Sequence, residues 1–167
     1  TPRVVRDALT ESISIIMNGT QEEIISYIAD FKKRFKTEKA ENISYPRSCN
    51  GLKEYHDPTT IFRKSTPIAV RGSLVYNHNL RSQKIDKKYP IINEGDKIKF
   101  IYLKTPNPLG QNVIAFVSTI PSEFGLSKYI DFDVQFEKSY LEPLKAILDC
   151  IGWQTEKTNT LDSLFCD

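Results

Sequence analysis

The sequence predicts an α+β fold, mostly helical, with a small antiparallel β-hairpin or sheet and a flexible C-terminal tail. Three observations carry this. The first third holds two apolar stripes at helical spacing with clear start and stop signals. One later stretch, residues 97–102, alternates polar and apolar side chains. The last fifteen residues are mainly polar, and 167 residues suffice for one domain with a tail.

The elements follow in order. Thr1-Pro2 reads as an N-cap followed by a first-turn proline, where the missing N–H costs nothing. Val5, Leu9, Ile13 and Ile16 then form one stripe, and Asn18-Gly19 provides a stop tolerant of the left-handed conformation. Thr20 and Glu23 make a capping-box pattern for a second helix with the stripe Ile24, Ile28, Phe31 and Phe35. The run Lys32, Lys33, Arg34 and Lys36 falls at its C-terminal end, where the helix dipole favours cations. Residues 37–66 show no period and contain Pro46, Gly51 and Pro58, so a loop-rich stretch is expected.

Thr66-Pro67 repeats the cap-and-proline signal for a third helix to about Arg81, with Val70, Leu74 and Tyr76 as its apolar residues. The same three also fit a strand of period two. Asn93 to Asp96 is a turn. Beyond it, Ile98, Phe100 and Tyr102 alternate with Lys97 and Lys99, a strand with one wet face. Pro106, Asn107, Pro108 and Gly110 return the chain into Val113 to Val117 as an antiparallel hairpin. Asp131 is placed to cap a closing helix with the stripe Phe136, Tyr140, Leu144, Ile147 and Ile151. Pro143 is awkward inside it, because proline removes a hydrogen bond and kinks a helix. Gly152 ends the helix.

Composition narrows the function classes. With 40% hydrophobic and 26% charged residues the chain fits a folded globular protein. Its longest apolar runs, such as Ile13 to Met17, are too short to cross a bilayer, and no secretory leader pattern is visible. Cys49, Cys150 and Cys166 are widely spaced, which points to a reducing compartment. The net charge of +2 is unevenly spread: residues 44–104 carry twelve basic and five acidic side chains, residues 105–167 four and nine. A polyanion-facing surface and an ordinary solvated face both account for that middle segment.

Catalytic signals are sparse. His56 and His78 are the only histidines, and no cysteine or histidine pair has zinc-site spacing. No nucleophile motif or glycine-rich phosphate cradle stands out. Asp131 and Asp133 would share a face on a strand, as a two-metal nuclease requires, but at a helix start they are an N-cap and a first-turn acid. The helical reading takes precedence. The basic segment is more informative. Arg47, Ser48, Asn50 and Lys53 lie in a loop, Arg63, Lys64 and Arg71 surround the third helix start, and Arg81, Lys84, Lys87 and Lys88 follow that helix. Tyr45, Tyr55 and Tyr76 are interleaved. Such a set suits sequence-independent contact with phosphates.

Three stretches taken together carry a resemblance. Residues 66–80 hold Arg71-Gly72, Leu74 and Tyr76-Asn77. Residues 92–110 hold Glu94-Gly95-Asp96 and the Asn107-Pro108-x-Gly110 loop. Residues 129–153 hold Asp131, Glu137, Lys138, Pro143 and Leu144 in one spaced pattern. Thr1, Pro2, Val5, Ala8 and Leu9 add a fourth match. The chain thus resembles the C-terminal thumb of family B DNA polymerases, in the group of T-even-type bacteriophages, over essentially its whole length. Ser48 to Tyr55 departs from the family's pattern.

The resemblance implies a thumb domain over 1–153 that holds primer–template duplex DNA, with Arg47, Ser48, Asn50, Lys53, Arg63, Lys64, Arg71, Tyr76 and Lys84 as contacts. It accommodates Pro143, since the family carries proline in that helix. It implies a tether over 154–167 whose Leu161, Leu164 and Phe165 dock a sliding clamp. The palm carboxylates with their Mg2+, the finger lysines and the exonuclease acids all belong to remaining polymerase domains, so no catalytic residue, metal or cofactor is expected in this segment. The setting implied is the cytoplasm of a bacterial host. A stand-alone nucleic-acid-binding regulator is the alternative, and a metal-dependent nuclease built on Asp131 and Asp133 a third.

Overall fold

A computed structural model of the chain describes residues 1–157. The clamp-docking residues expected at Leu161, Leu164 and Phe165 lie outside the described residues. The architecture is α+β, and the described chain divides into two compact units, one from Thr1–Pro2 with Lys39–Gln135, the other from Arg3–Glu38 with residues 136–157.

The second unit is helical. Helix α1 spans Arg3–Asn18 and α2 spans Gln21–Phe35. The Thr20 side chain accepts a hydrogen bond from the Glu23 N–H at 3.3 Å, as the capping pattern predicts. Ile24, Ile28, Phe31 and Phe35 are all buried. The α1 stripe differs from expectation: Val5, Ala8 and Ser12 are buried, whereas Ile13 is 42% exposed. Small side chains face inward there, and Ser12 buries its hydroxyl by donating to the Ala8 carbonyl at 2.7 Å. Gly19 ends the helix without a positive φ. Its role is steric instead, since a Cβ there would lie 2.9 Å from the Ile15 carbonyl oxygen.

The closing helix resolves the proline problem. It runs as α6 (Phe132–Phe136), one π-helical turn (Glu137–Leu141) and α7 (Glu142–Cys150), with Pro143 in the first turn of α7. The lost i→i−4 bond falls beside a turn that already departs from the α ladder. Phe136, Tyr140, Leu144 and Leu148 are buried, while Ile147 and Ile151 of the expected stripe are 40% and 47% exposed. Steps of four precess by ~40° each on a regular α-helix. The wider π turn takes back part of that drift and keeps the four on one face. Phe31, Phe35, Phe136 and Tyr140 meet as an aromatic cluster, with ring centres 4.8 Å apart for Phe31–Tyr140 and 5.3 Å for Phe35–Phe136. At the end, Gly152 adopts the left-handed conformation with φ 72°, and the Gly152 and Trp153 N–H groups return to the Asp149 and Leu148 carbonyls. This is a Schellman stop.

The first unit is built on a three-stranded antiparallel sheet in the order β1-β4-β5, from Tyr45–Ser48, Lys97–Tyr102 and Val113–Phe116. The long helix α5 (Ile68–Ser82) packs on it. Two short helices, α3 (Ala40–Ile43) and α4 (Leu52–Tyr55), and a small hairpin of β2 (His56–Asp57) and β3 (Ile61–Phe62) complete it. So residues 37–66 are less loop-like than expected. Pairing supplied from β4, distant in sequence, makes β1 a strand that local pattern does not announce. The residue capping α5 is Pro67, not Thr66, whose hydroxyl instead donates to the Arg63 carbonyl. The predicted hairpin forms with Phe100 opposite Ala115 and Tyr102 opposite Val113. The wet face of β4 is only partial: Ile101 is buried, and the Lys99 ammonium bonds the Glu41 carbonyl at 3.1 Å.

Three motif residues explain how α5 is seated. A Cβ on Gly72 would stand 2.9 Å from the Ala115 backbone nitrogen, so only glycine lets the helix approach β5 this closely. Tyr76 donates its hydroxyl to the Pro90 carbonyl at 2.9 Å. The Asn77 side-chain amide accepts from the Ile92 N–H and donates to the Ile92 carbonyl, both at 2.8 Å. The connection after α5 is thereby clasped back onto the helix.

Candidate nucleic-acid interface

Strand β1 is an edge strand, so its outer side is free of sheet pairing. Tyr45 stacks on Phe100 with ring centres 5.1 Å apart, and the exposed Arg47 guanidinium lies over Tyr45 at 5.8 Å. Arg47 is held further by its own bond to the Pro46 carbonyl at 3.1 Å. Ser48 pairs in register with Lys97. Arg47 and Ser48 therefore sit on a strand rather than in the expected loop, and Lys97 joins them. Its alternation with Ile98 was the signal available for it in the sequence.

The turn that follows is tightly fastened. Cys49 N–H bonds the Asp96 carbonyl at 2.8 Å, and Gly95 N–H bonds the Cys49 carbonyl at 2.6 Å. The Glu94 carboxylate accepts the N–H groups of Gly51 and Leu52 at 2.5 and 2.9 Å. Gly51 has φ 104°, a conformation that favours glycine. The exposed Asn50 crowns this turn, and Lys53 is exposed on α4. The Glu94-Gly95-Asp96 motif thus braces the turn that presents Ser48, Asn50 and Lys53.

The remaining predicted contacts divide. Arg63 and Lys64 are exposed just before α5, and Lys84 is exposed just after it, with φ 58°. Fifteen helical residues separate these groups by ~22 Å along the axis, so they are not one cluster. Arg71 is half-buried and braced: it donates to the Asn112 side-chain oxygen at 2.7 Å and lies over the Phe62 ring at 5.7 Å. Its Nε is buried without a hydrogen-bond partner. Tyr76 is corrected outright as a surface contact. It is 1% exposed, its hydroxyl is engaged, and burial pushes its phenol up to about 12.

Charge is also reduced at Lys88, whose ammonium pairs with Glu123 at 2.5 Å while the Tyr89 hydroxyl bonds the same carboxylate at 2.7 Å. These two hydrogen bonds hold the Glu123 carboxyl down to about 2. Arg81 and Lys87 remain exposed. Asp131 is used structurally, its Oδ1 accepting the Val134 N–H at 3.0 Å as a helix cap. No group of three or more metal-ligating side chains occurs among the described residues, and no described helix is long and apolar enough to cross a membrane.

No protein-family model matches the chain. Two curated relatives do. The DNA-directed DNA polymerase of Enterobacteria phage T4 is 29% identical over 169 residues, covering 99% of this chain and 18% of the relative. The DNA-directed DNA polymerase of Escherichia phage RB69 is 28% identical over the same extent, again 99% and 18%. The chain therefore spans less than a fifth of the length of these relatives, a match consistent with a fragment of a T4-like polymerase.

Proposed function

We propose that this chain is the DNA-holding thumb segment of a T4-like replicative DNA polymerase. The observation that supports it most is the end-to-end match to two phage polymerases. Its partners are then primer–template duplex, the remaining polymerase domains and, through Leu161, Leu164 and Phe165, a sliding clamp. Magnesium-dependent nucleotidyl transfer belongs to the palm, and the working compartment is the bacterial host cytoplasm.

Duplex grip is assigned to Arg47, Ser48, Asn50, Lys53, Arg63, Lys64 and Lys84, with Lys97 added. All are exposed, and the cations among them neutralise phosphates without reading bases. Arg71 positions Phe62 and Asn112 rather than gripping DNA directly. The test is duplex binding by the 167-residue chain across a salt series. Binding is expected to be sequence-independent, and Arg47→Glu with Lys64→Glu should reduce the salt slope by about 0.9 for each phosphate no longer neutralised. An unchanged slope would make the basic face merely solvated. A clear sequence preference would favour the stand-alone regulator instead.

A further inference from the structure

Beside α5 in the first unit lies a trough that the duplex-contact residues only border. Leu74, Asn77, His78 and Arg81 fall at helical spacings that place them on one face of α5. A hollow of about 430 Å³ extends from this face under the β2–β3 hairpin to His56 and Ile61. A second hollow of about 420 Å³ extends from it toward Lys53 and Ile91. The two meet at His56, Leu74, Asn77 and Arg81.

The walls sort by chemistry. The floor is apolar, from Leu74, Ile61 and Ile91. Both acids in the walls are committed to backbone donors: Asp57 Oδ1 accepts from Thr59 and Thr60, and Glu94 accepts from Gly51 and Leu52. The Asn77 amide is spent on Ile92. Four donors are left over. The side chains of Lys53, His56, His78 and Arg81 have no hydrogen bond or ion pair among the described residues. Ile61 itself holds φ 74°, which a β-branched side chain rarely adopts. Strained backbone of this kind is enriched at ligand sites.

A phosphate alone would leave such a trough mostly empty, whereas its volume falls in the range of organic-ligand sites. Duplex DNA offers its backbone and the base edges in its grooves, but its base faces are stacked away. An unpaired nucleotide offers both parts the trough asks for: a flat base for the apolar floor, and phosphates for the cationic rim. Imidazole and guanidinium planes also stack on exposed bases. We propose that this trough holds an unpaired nucleotide of single-stranded DNA. The inference rests on the polymerase-fragment reading for its choice of DNA, but assigns a site that shares only Lys53 with the duplex grip.

The experiment measures fluorescence anisotropy of octathymidylate and of covalently closed circular duplex DNA, which has no ends, with the full chain. The variant is His78→Gln with Arg81→Gln, both exposed, its fold checked by thermal melting. Octathymidylate affinity is expected to fall at least about tenfold, with a salt slope lower by about 0.7 for each phosphate that is no longer held. Duplex affinity should stay within about twofold. Equal octathymidylate affinity in both proteins would overturn the trough, as would octathymidylate failing to bind while duplex binds. Octathymidylate binding that is lost in the variant, with no duplex binding by either protein, would keep the trough and remove the duplex-grip reading.

Discussion

Ser12 and Tyr140 show how a single buried pair fixes its own direction. Their oxygens lie 2.7 Å apart, and Ser12 already donates its proton to the Ala8 carbonyl. Tyr140 must therefore be the donor, and its burial raises the phenol pKa above the ordinary range. Ser12→Ala strands a buried donor and should cost ~1–3 kcal/mol, whereas Tyr140→Phe should cost less, since a hydroxyl acceptor tolerates one empty lone pair. Urea unfolding of the two variants checks the asymmetry. Glu123 gives the pH counterpart. Its folded-state carboxyl sits at about 2 against an ordinary 4.5, so the unfolded chain binds more protons between those values. The contribution is whole above about pH 4.5 and is lost as pH falls through about 2. Acid unfolding of Glu123→Gln should lack that part of the wild-type pH dependence. Residue roles were only partly legible in the sequence: Thr20 declares itself by its position before a helix, but Tyr76 looks alike as a phosphate donor or a core anchor until Pro90 is seen beside it.

At the scale of elements, Gly72 decides how closely α5 meets the sheet. Gly72→Ala must push the helix from the Ala115 backbone and should destabilise by ~1–3 kcal/mol despite alanine's better helix propensity, as measured by chemical denaturation. A stabilised variant would show that the helix can shift freely. Periodicity made α2 legible, because all four stripe residues face one core. It failed for β1, whose four residues Tyr45–Ser48 are paired only through β4. It also misplaced the last inward residue of the closing helix. A π turn rotates everything beyond it, and no local composition marks such a turn, so Leu148 took the place given to Ile147.

For the whole molecule, α+β class and the order of the long elements follow from the sequence, whereas the two-unit division does not. The second unit brings together Arg3–Glu38 and the described residues from Phe136, about a hundred positions apart in sequence, and periodicity is blind to such pairing. The candidate interface was legible as a charge excess but not as a surface. Arg63 and Lys64 lie one helix length from Lys84, and Lys88 is already paired. Deleting residues 160–167 tests the proposed processivity role. Clamp binding should be lost while the melting temperature stays unchanged. A lower melting temperature with clamp binding intact would remove the clamp role from Leu161, Leu164 and Phe165.

The clasp between α5 and residues 90–92 has a consequence for chain continuity. Tyr76 and Asn77 hold the far end of the connection through three hydrogen bonds, and Ile92 is itself buried. The intervening Lys84 and Lys87 are exposed backbone-cleavage points for trypsin. A nick there leaves both ends anchored, so the two pieces should stay together without a peptide bond between them. The same connection is thus the place where this unit is expected to tolerate being made as two polypeptides, or having its termini relocated.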